Sequence, residues 1–274
     1  MYVRRPSYGG RRGSVLPRLV LAALFAIGSL VMYFSSSQAN PVTGETQYVD
    51  LTVDQEVAIG LQAAPEMAAE FGGLDPDENA QAYVDQIGFA ILGNSAAGTS
   101  PYEYDFHLLG DMETINAFAL PGGQVFITRA LFDQLTTEGQ LAGVLGHEIG
   151  HVVARHSAEH IAKARLTEGL TGAAVIASYD PNNPSSAQLA QIAMLVGQLV
   201  NMKFGREDEL ESDFLGVCFI NDAGYNPEEL VGVMEVLASS RQGSEPPEFF
   251  STHPNPENRV QRIQEAIQNL DQCP

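Results

Sequence analysis

Leu141-Ala142-Gly143-Val144-Leu145-Gly146-His147-Glu148-Ile149-Gly150-His151-Val152-Val153 holds the pattern H-E-x-x-H inside an apolar run. On a helix, positions four apart share a face, so His147 and His151 project side by side. Two imidazoles at that spacing can take one Zn²⁺ at about 2.0–2.1 Å each. Glu148 follows the first histidine and is placed to take a proton from water beside the metal. The leucines, valines and isoleucine around the motif make this helix apolar and buried, where two histidines and a glutamate are costly without partners. A polar helix face with two solvated histidines does not fit those flanks.

A catalytic zinc takes three protein ligands and leaves a fourth position open. In the metzincin pattern the third ligand is a histidine six residues past the second, with a glycine between. Here those positions are Ser157 and Ala154, so that class is excluded. Along a single helix expected over about Glu138–Ala162, rotation puts His156 about 180° from His147, and His156 and His160 read as polar-face residues. A carboxylate on a second helix is the remaining source. The stretch Phe204-Gly-Arg-Glu-Asp-Glu209-Leu-Glu211-Ser-Asp213 supplies Glu209 and Asp213, four apart on one face. Glu209 can complete a His₂Glu site, and Asp213 can accept a hydrogen bond from the free N–H of a ligand histidine. Spacing alone does not separate Glu209 from Glu211, and Glu207 and Asp208 suit a helix N-terminus.

Outside these motifs the chain reads as a tail and one domain. The first eighteen residues hold five arginines (Arg4, Arg5, Arg11, Arg12, Arg18) and no acid, leaving 9 bases against 34 acids, a net charge of −25. So acidic a body excludes nucleic acid as a partner. Leu19–Phe34 is an uncharged apolar run, and Ser37-Gln-Ala39 offers small residues for cleavage. Residues 1–18 therefore read as a basic cytoplasmic region, 19–36 as a signal-anchor or signal peptide, 37–52 as a linker and 53–272 as the catalytic domain. An uncleaved segment makes the membrane a partner, and everything past residue 40 is expected on the exported side. Helices are expected at Asp54–Phe71, Pro76–Leu92, Glu207–Asn221, Pro227–Ser239 and Pro256–Leu270. Strands are expected at Tyr104–Leu109, Ile115–Leu120 and Gln124–Thr128, the last two joined at Pro121-Gly-Gly123. Leu170–Ser178 is apolar but too short to span a bilayer, and Leu189–Met202 reads as a further helix. The two cysteines, Cys218 and Cys273, lack zinc-site spacing; whether they pair is left open.

H-E-I-G-H at 147–151 with E-L-E-S-D at 209–213, I-N-A-F-A-L-P-G-G at 115–123 and S-T-H-P at 251–254 resembles the HtpX-like and CAAX-prenyl-protease-like zinc metallopeptidases, which are gluzincins. The likeness is nearest to their exported bacterial BepA/LoiP-type branch and runs from about Leu51 to Leu270. It implies that Glu209 is the third metal ligand and Asp213 its supporting carboxylate. It also implies that Asn116, Ala117, Phe118, Ala119 and Leu120 form the strand along which substrate lies, and that His253 approaches the active site as a catalytic or gating residue. Ser212 departs from the family's usual alanine. A tetratricopeptide extension does not appear up to Pro274, so docking through such repeats is not carried over.

The expected fold is α+β, mainly α: a zincin-like metallopeptidase with a small β-sheet and an H-E-x-x-H helix. The expected function is zinc-dependent endopeptidase action, with one Zn²⁺ per chain, on protein or peptide substrates of the cell envelope that are misfolded or misassembled. Glu148 is the expected general base. The alternatives are a zinc-bound envelope chaperone with latent proteolysis, and a structural zinc site with His253 as a fourth ligand.

Overall fold

The structure, a computed structural model, describes residues 15–178, 205–240, 247–254 and 258–274. An apolar helix, α1 (Leu16–Ser35), comes first and is long and apolar enough to cross a membrane. The stretch read as a linker contains an antiparallel hairpin, β1 (Ser37–Ala39) and β2 (Thr46–Tyr48). Thr52 caps α2 (Val53–Glu70) with a full capping box, and the helix continues through Pro65. Asp77 caps α3 (Glu78–Asn94), whose buried stripe is Val84, Ile87, Gly88 and Ile91.

A three-stranded sheet follows, from β3 (Asp105–Leu109), β4 (Ala117–Leu120) and β5 (Gln124–Thr128). Its order is β3-β5-β4, with β3 parallel and β4 antiparallel to β5. The β4–β5 hairpin is the one the sequence predicts. Gly122 and Gly123 turn it with φ of 83° and 106°, values that favour glycine. Strand β4 lies at an edge of the sheet. One sheet face joins the main core through Phe106, Leu108, Val125 and Ile127. The other, through Leu109, Phe118 and Phe126, meets Ala64 and Met67 of α2 and Phe71 just past its end.

After a one-turn helix, α4 (Arg129–Phe132), the motif helix is α5 (Glu138–Val153), capped by Thr137. Every α5 residue from Gln140 onward is buried. The single helix expected to Ala162 is in fact two. Arg155 adopts φ of 59°, and α6 (His156–Ser178) starts in a new direction. Three contacts hold that break. Arg155 donates from Nε to Glu56 on α2 (3.1 Å), Asn40 donates to the Val153 carbonyl (2.7 Å), and Gln47 donates to the Ala154 carbonyl. Leu170–Ser178, read as a separate apolar piece, is the end of α6; the helix predicted at Leu189–Met202 lies outside the described residues.

The last elements are α7 (Arg206–Asp222), α8 (Glu229–Ser239), α9 (Phe249–Thr252) and α10 (Arg259–Gln268). Helix α7 crosses α5 at very close range because both helices carry small residues there. A Cβ on Gly150 would lie 2.8 Å from the Ser212 carbonyl oxygen, and one on Gly216 would lie 3.1 Å from the His147 nitrogen. Gly150 thus meets Ser212 and Gly146 meets Gly216, so the two helices run antiparallel. Cys218 and Cys273, left open by the sequence, form a disulfide from α7 to the end of the chain.

Candidate active site

Two antiparallel helices with matching four-residue spacings bring two pairs of side chains face to face. His151 meets Glu209 (Nε2–Oε1 3.4 Å) and His147 meets Asp213 (Nδ1–Oδ1 2.9 Å). The Nε2 atoms of the two histidines stand 3.1 Å apart, and Glu209 Oε2 is 3.6 Å from His147 Nε2. His253, just after α9, adds Nδ1 at 3.1 Å from Glu209 and 3.4 Å from His147 Nε2. Donor atoms of His147, His151, Glu209 and His253 all fall within 4.8 Å of one another, and all four residues are buried.

This donor set fits a metal. Atoms bonded at about 2.0–2.1 Å to one tetrahedral ion stand about 3.3 Å apart, and most of the separations here lie near that value. The protonation pattern agrees. Burial pushes the His151 pKa well down, leaving a neutral imidazole. Burial alone would raise Glu209, but hydrogen bonds from His151 and His253 outweigh it and hold the carboxyl far below its usual range. Glu209 stays an anion beside the neutral His151 imidazole.

Glu148 lies on the same helix turn. Its two carboxylate oxygens are buried and accept no hydrogen bond from a described residue, with His253 Nε2 at 3.6 Å from Oε1. Burial pushes its pKa up, against the attraction of His253 and His147. A buried carboxylate of raised basicity has the character of a proton acceptor. Burial would lower His253, yet the Glu148 and Glu209 carboxylates raise it, and the Phe249 ring stacks on it at 4.4 Å.

The sequence-predicted residues converge with one division. His147, Glu148, His151, Glu209, Asp213 and His253 form one cluster, whereas Glu211 points away to His156 (3.3 Å). Asn116 precedes β4, and Ala117–Leu120 form that strand. Ala119 and Leu120 line a small groove with His151 and Arg155. The reading of His156 as a polar-face residue is overturned. The αL turn at Arg155 swings it back, so that it is 1% exposed and its Nδ1 lies 2.8 Å from His151 Nδ1. His160 instead faces Asp208 at 2.8 Å.

One residue escapes the sequence reading altogether. Arg259 on α10 is fully buried. It donates to both Asp213 oxygens (2.7 and 2.9 Å), and its Nη1 stands 3.2 Å from Glu209 Oε2. Arg259 shares the buried face of α10 with Ile263 and Ala266. A cation at a core position of an amphipathic helix is the signal that would have found it. Ser212 also gains a role: its hydroxyl donates to the His147 carbonyl.

The family model for peptidase family M48 matches residues 78–267. The chain is 32% identical over 251 residues to the mitochondrial metalloendopeptidase OMA1 of Schizosaccharomyces pombe, covering 90% of this chain and 71% of that protein. It is 29% identical over 245 residues to the beta-barrel assembly-enhancing protease of Escherichia coli, covering 88% of this chain and 50% of that protein. Metalloprotease YcaL of Escherichia coli is 30% identical over 176 residues, 64% of this chain and 66% of its own length. The chain therefore spans about half the length of the beta-barrel assembly-enhancing proteases it matches.

Proposed function

The chain belongs to peptidase family M48 and is a metalloendopeptidase, and on that footing we propose that it uses zinc, held by His147, His151 and Glu209, to cut misfolded or misassembled proteins of the cell envelope. The observation that carries this reading is the buried group of four ligand residues with the Glu148 carboxylate beside it, buried and without a hydrogen bond from a described residue. Zinc bound there supplies Lewis acidity to the scissile carbonyl and to the attacking water. The chain's own residues do the rest. Glu148 takes the proton from the attacking water and hands it to the leaving amine. Asp213, fixed by Arg259, holds His147 with its Nε2 toward the metal. Substrate extends along the open edge of β4, with Asn116 at its start, and pairs through its backbone, which gives affinity with little sequence preference. His253 withdraws from the ligand group to admit substrate and then faces the developing oxyanion as a donor.

The envelope substrate draws on the names of the beta-barrel assembly-enhancing relatives and on the apolar α1. It also agrees with the disulfide, which belongs to an oxidising compartment. By this reading the body lies on the exported side of the membrane, and residues 53–272 form the catalytic domain.

Glu148→Gln is the test. The variant is expected to keep its zinc, by metal analysis, and to lose casein cleavage; retained turnover would overturn the role of Glu148. A second reading, a zinc-bound chaperone with latent proteolysis, is favoured by one observation: His253 already stands among the ligand atoms. Casein cleavage with and without a chelator separates the two. Turnover that the chelator abolishes supports the enzyme, and zinc-loaded protein that leaves casein intact supports the latent form.

A further inference from the structure

Helices α1 and α6 lie side by side and antiparallel. A Cβ on Gly169 would collide with Ser29, and one on Gly172 would touch Phe25 at 3.3 Å, while Tyr33 and Ser36 line a cleft with Ala162 and Arg165. Among the described elements, the substantial contacts of α1 are with α6 and β2. Small residues set this close approach, with Ala22 and Ala173 buried between the helices.

Both helices change polarity at one level. Helix α6 carries Glu159, Lys163, Arg165 and Glu168, and then no charge from Gly169 to Ser178. Helix α1 has no charge beyond Arg18. At the level of the change sits a collar of aromatic and charged groups. Tyr33 stacks on Tyr48 at 4.9 Å, Phe34 meets Tyr48 edge-on at 5.9 Å, and Arg165 pairs with Asp50 at 2.6 Å. Aromatic rings and long cationic side chains collect at membrane–water boundaries. Past the collar the surface is apolar on both helices: Leu24 is 63% exposed, Ile27 56% and Leu170 38%, and Ala174 and Ala177 are exposed as well.

We propose that the distal part of α6, Gly169–Ser178, is embedded in the lipid bilayer beside α1, with acyl chains against its exposed face. Ten helical residues rise about 15 Å, half of a hydrocarbon core of about 30 Å, so α6 enters the bilayer without needing to span it. A helix leaning on a membrane-spanning helix shares its depth. The proposal rests on the reading of α1 as an uncleaved anchor and is independent of the zinc chemistry.

The test uses the full chain in phosphatidylcholine vesicles with mid-chain brominated lipid. The native cysteines are disulfide-bonded, so one new cysteine carries a fluorophore, in turn at Ala174→Cys, at Leu24→Cys and at the aqueous control Asn94→Cys. The label at 174 is expected to be quenched to the same extent as that at 24, and the label at 94 to be unaffected. A label at 174 that behaves like the one at 94 overturns the proposal, whatever the label at 24 does. Quenching at 174 supports it. Chain mass decides the anchor reading separately: a mature chain starting beyond residue 36 removes α1, while the label at 174 still reports on α6.

Discussion

The choice between Glu209 and Glu211 is made by a two-residue step along one helix. Residues two apart differ by about 200° around the axis, so only one of them can face α5. Glu209 is the one that does, and Glu211 stands beside His156. Glu209→Ala is therefore expected to abolish stoichiometric metal binding and Glu211→Ala to preserve it, as read by metal analysis of the purified variants. Acid–base behaviour offers a second check, in metal-free protein. Burial raises Glu148, so its ionised form disfavours folding once pH exceeds the ordinary glutamate value of 4.5. Glu148→Gln should then melt at higher temperature than the parent near neutral pH, with the difference fading as pH falls to about 4. Asp213 has the opposite sign. Burial would raise it, but Arg259 and His147 pull it below its ordinary value of 3.8. Its contribution is complete above that value and is lost as pH falls further, so acid unfolding of the metal-free protein should begin below about pH 4. Arg259→Leu leaves two buried carboxylates without their cation and should cost about 3–5 kcal/mol in chemical denaturation.

Between elements, the site depends on how near α5 and α7 approach. An alanine in place of a helical glycine ordinarily stabilises by about 0.5–1 kcal/mol, and Gly93, open on α3, should show that gain. Gly150→Ala should show the reverse, a loss of about 1–3 kcal/mol together with weaker metal affinity, because its Cβ would meet the Ser212 carbonyl. Melting temperature and metal titration of both variants check the pair. What the sequence makes legible follows the same line. The spacings 147/151 and 209/213 are local and periodic, so the H-E-x-x-H helix and a facing carboxylate helix could be expected from them, and the β4–β5 hairpin from its Pro121-Gly-Gly123 turn, whereas in the sequence the choice of Glu209 over Glu211 rests only on the family resemblance. The break at Arg155 could not, because it is held by Glu56, Asn40 and Gln47, which are remote in the chain. That one missed turn hid the burial of His156 beside His151. Arg259 stayed hidden because its anionic partners lie on a different helix.

At the scale of the whole molecule, the active-site helix is coupled to both ends of the chain. Through the turn at Arg155 it leads into α6, and nine residues, about 14 Å of helix, separate His156 from the collar at Arg165. If α6 enters the bilayer as proposed, the substrates expected to reach the site are those held close to the membrane. At the other end, the Cys218–Cys273 bond closes a loop with a sequence separation of 55, which in the loop-entropy description stabilises by about 4 kcal/mol. A Cys218→Ala, Cys273→Ala double variant is expected to lose stability of that order, measured by urea unfolding. The same bond bears on how a protease survives its own company. His253 and Arg259 lie inside the covalent loop, whereas His147, His151 and Glu209 lie before it. If one molecule nicks another anywhere between Cys218 and Cys273, both pieces stay joined, and every group of the site remains on one covalent body. Such a nicked form would migrate as a single band until reductant is added, and would then separate into two.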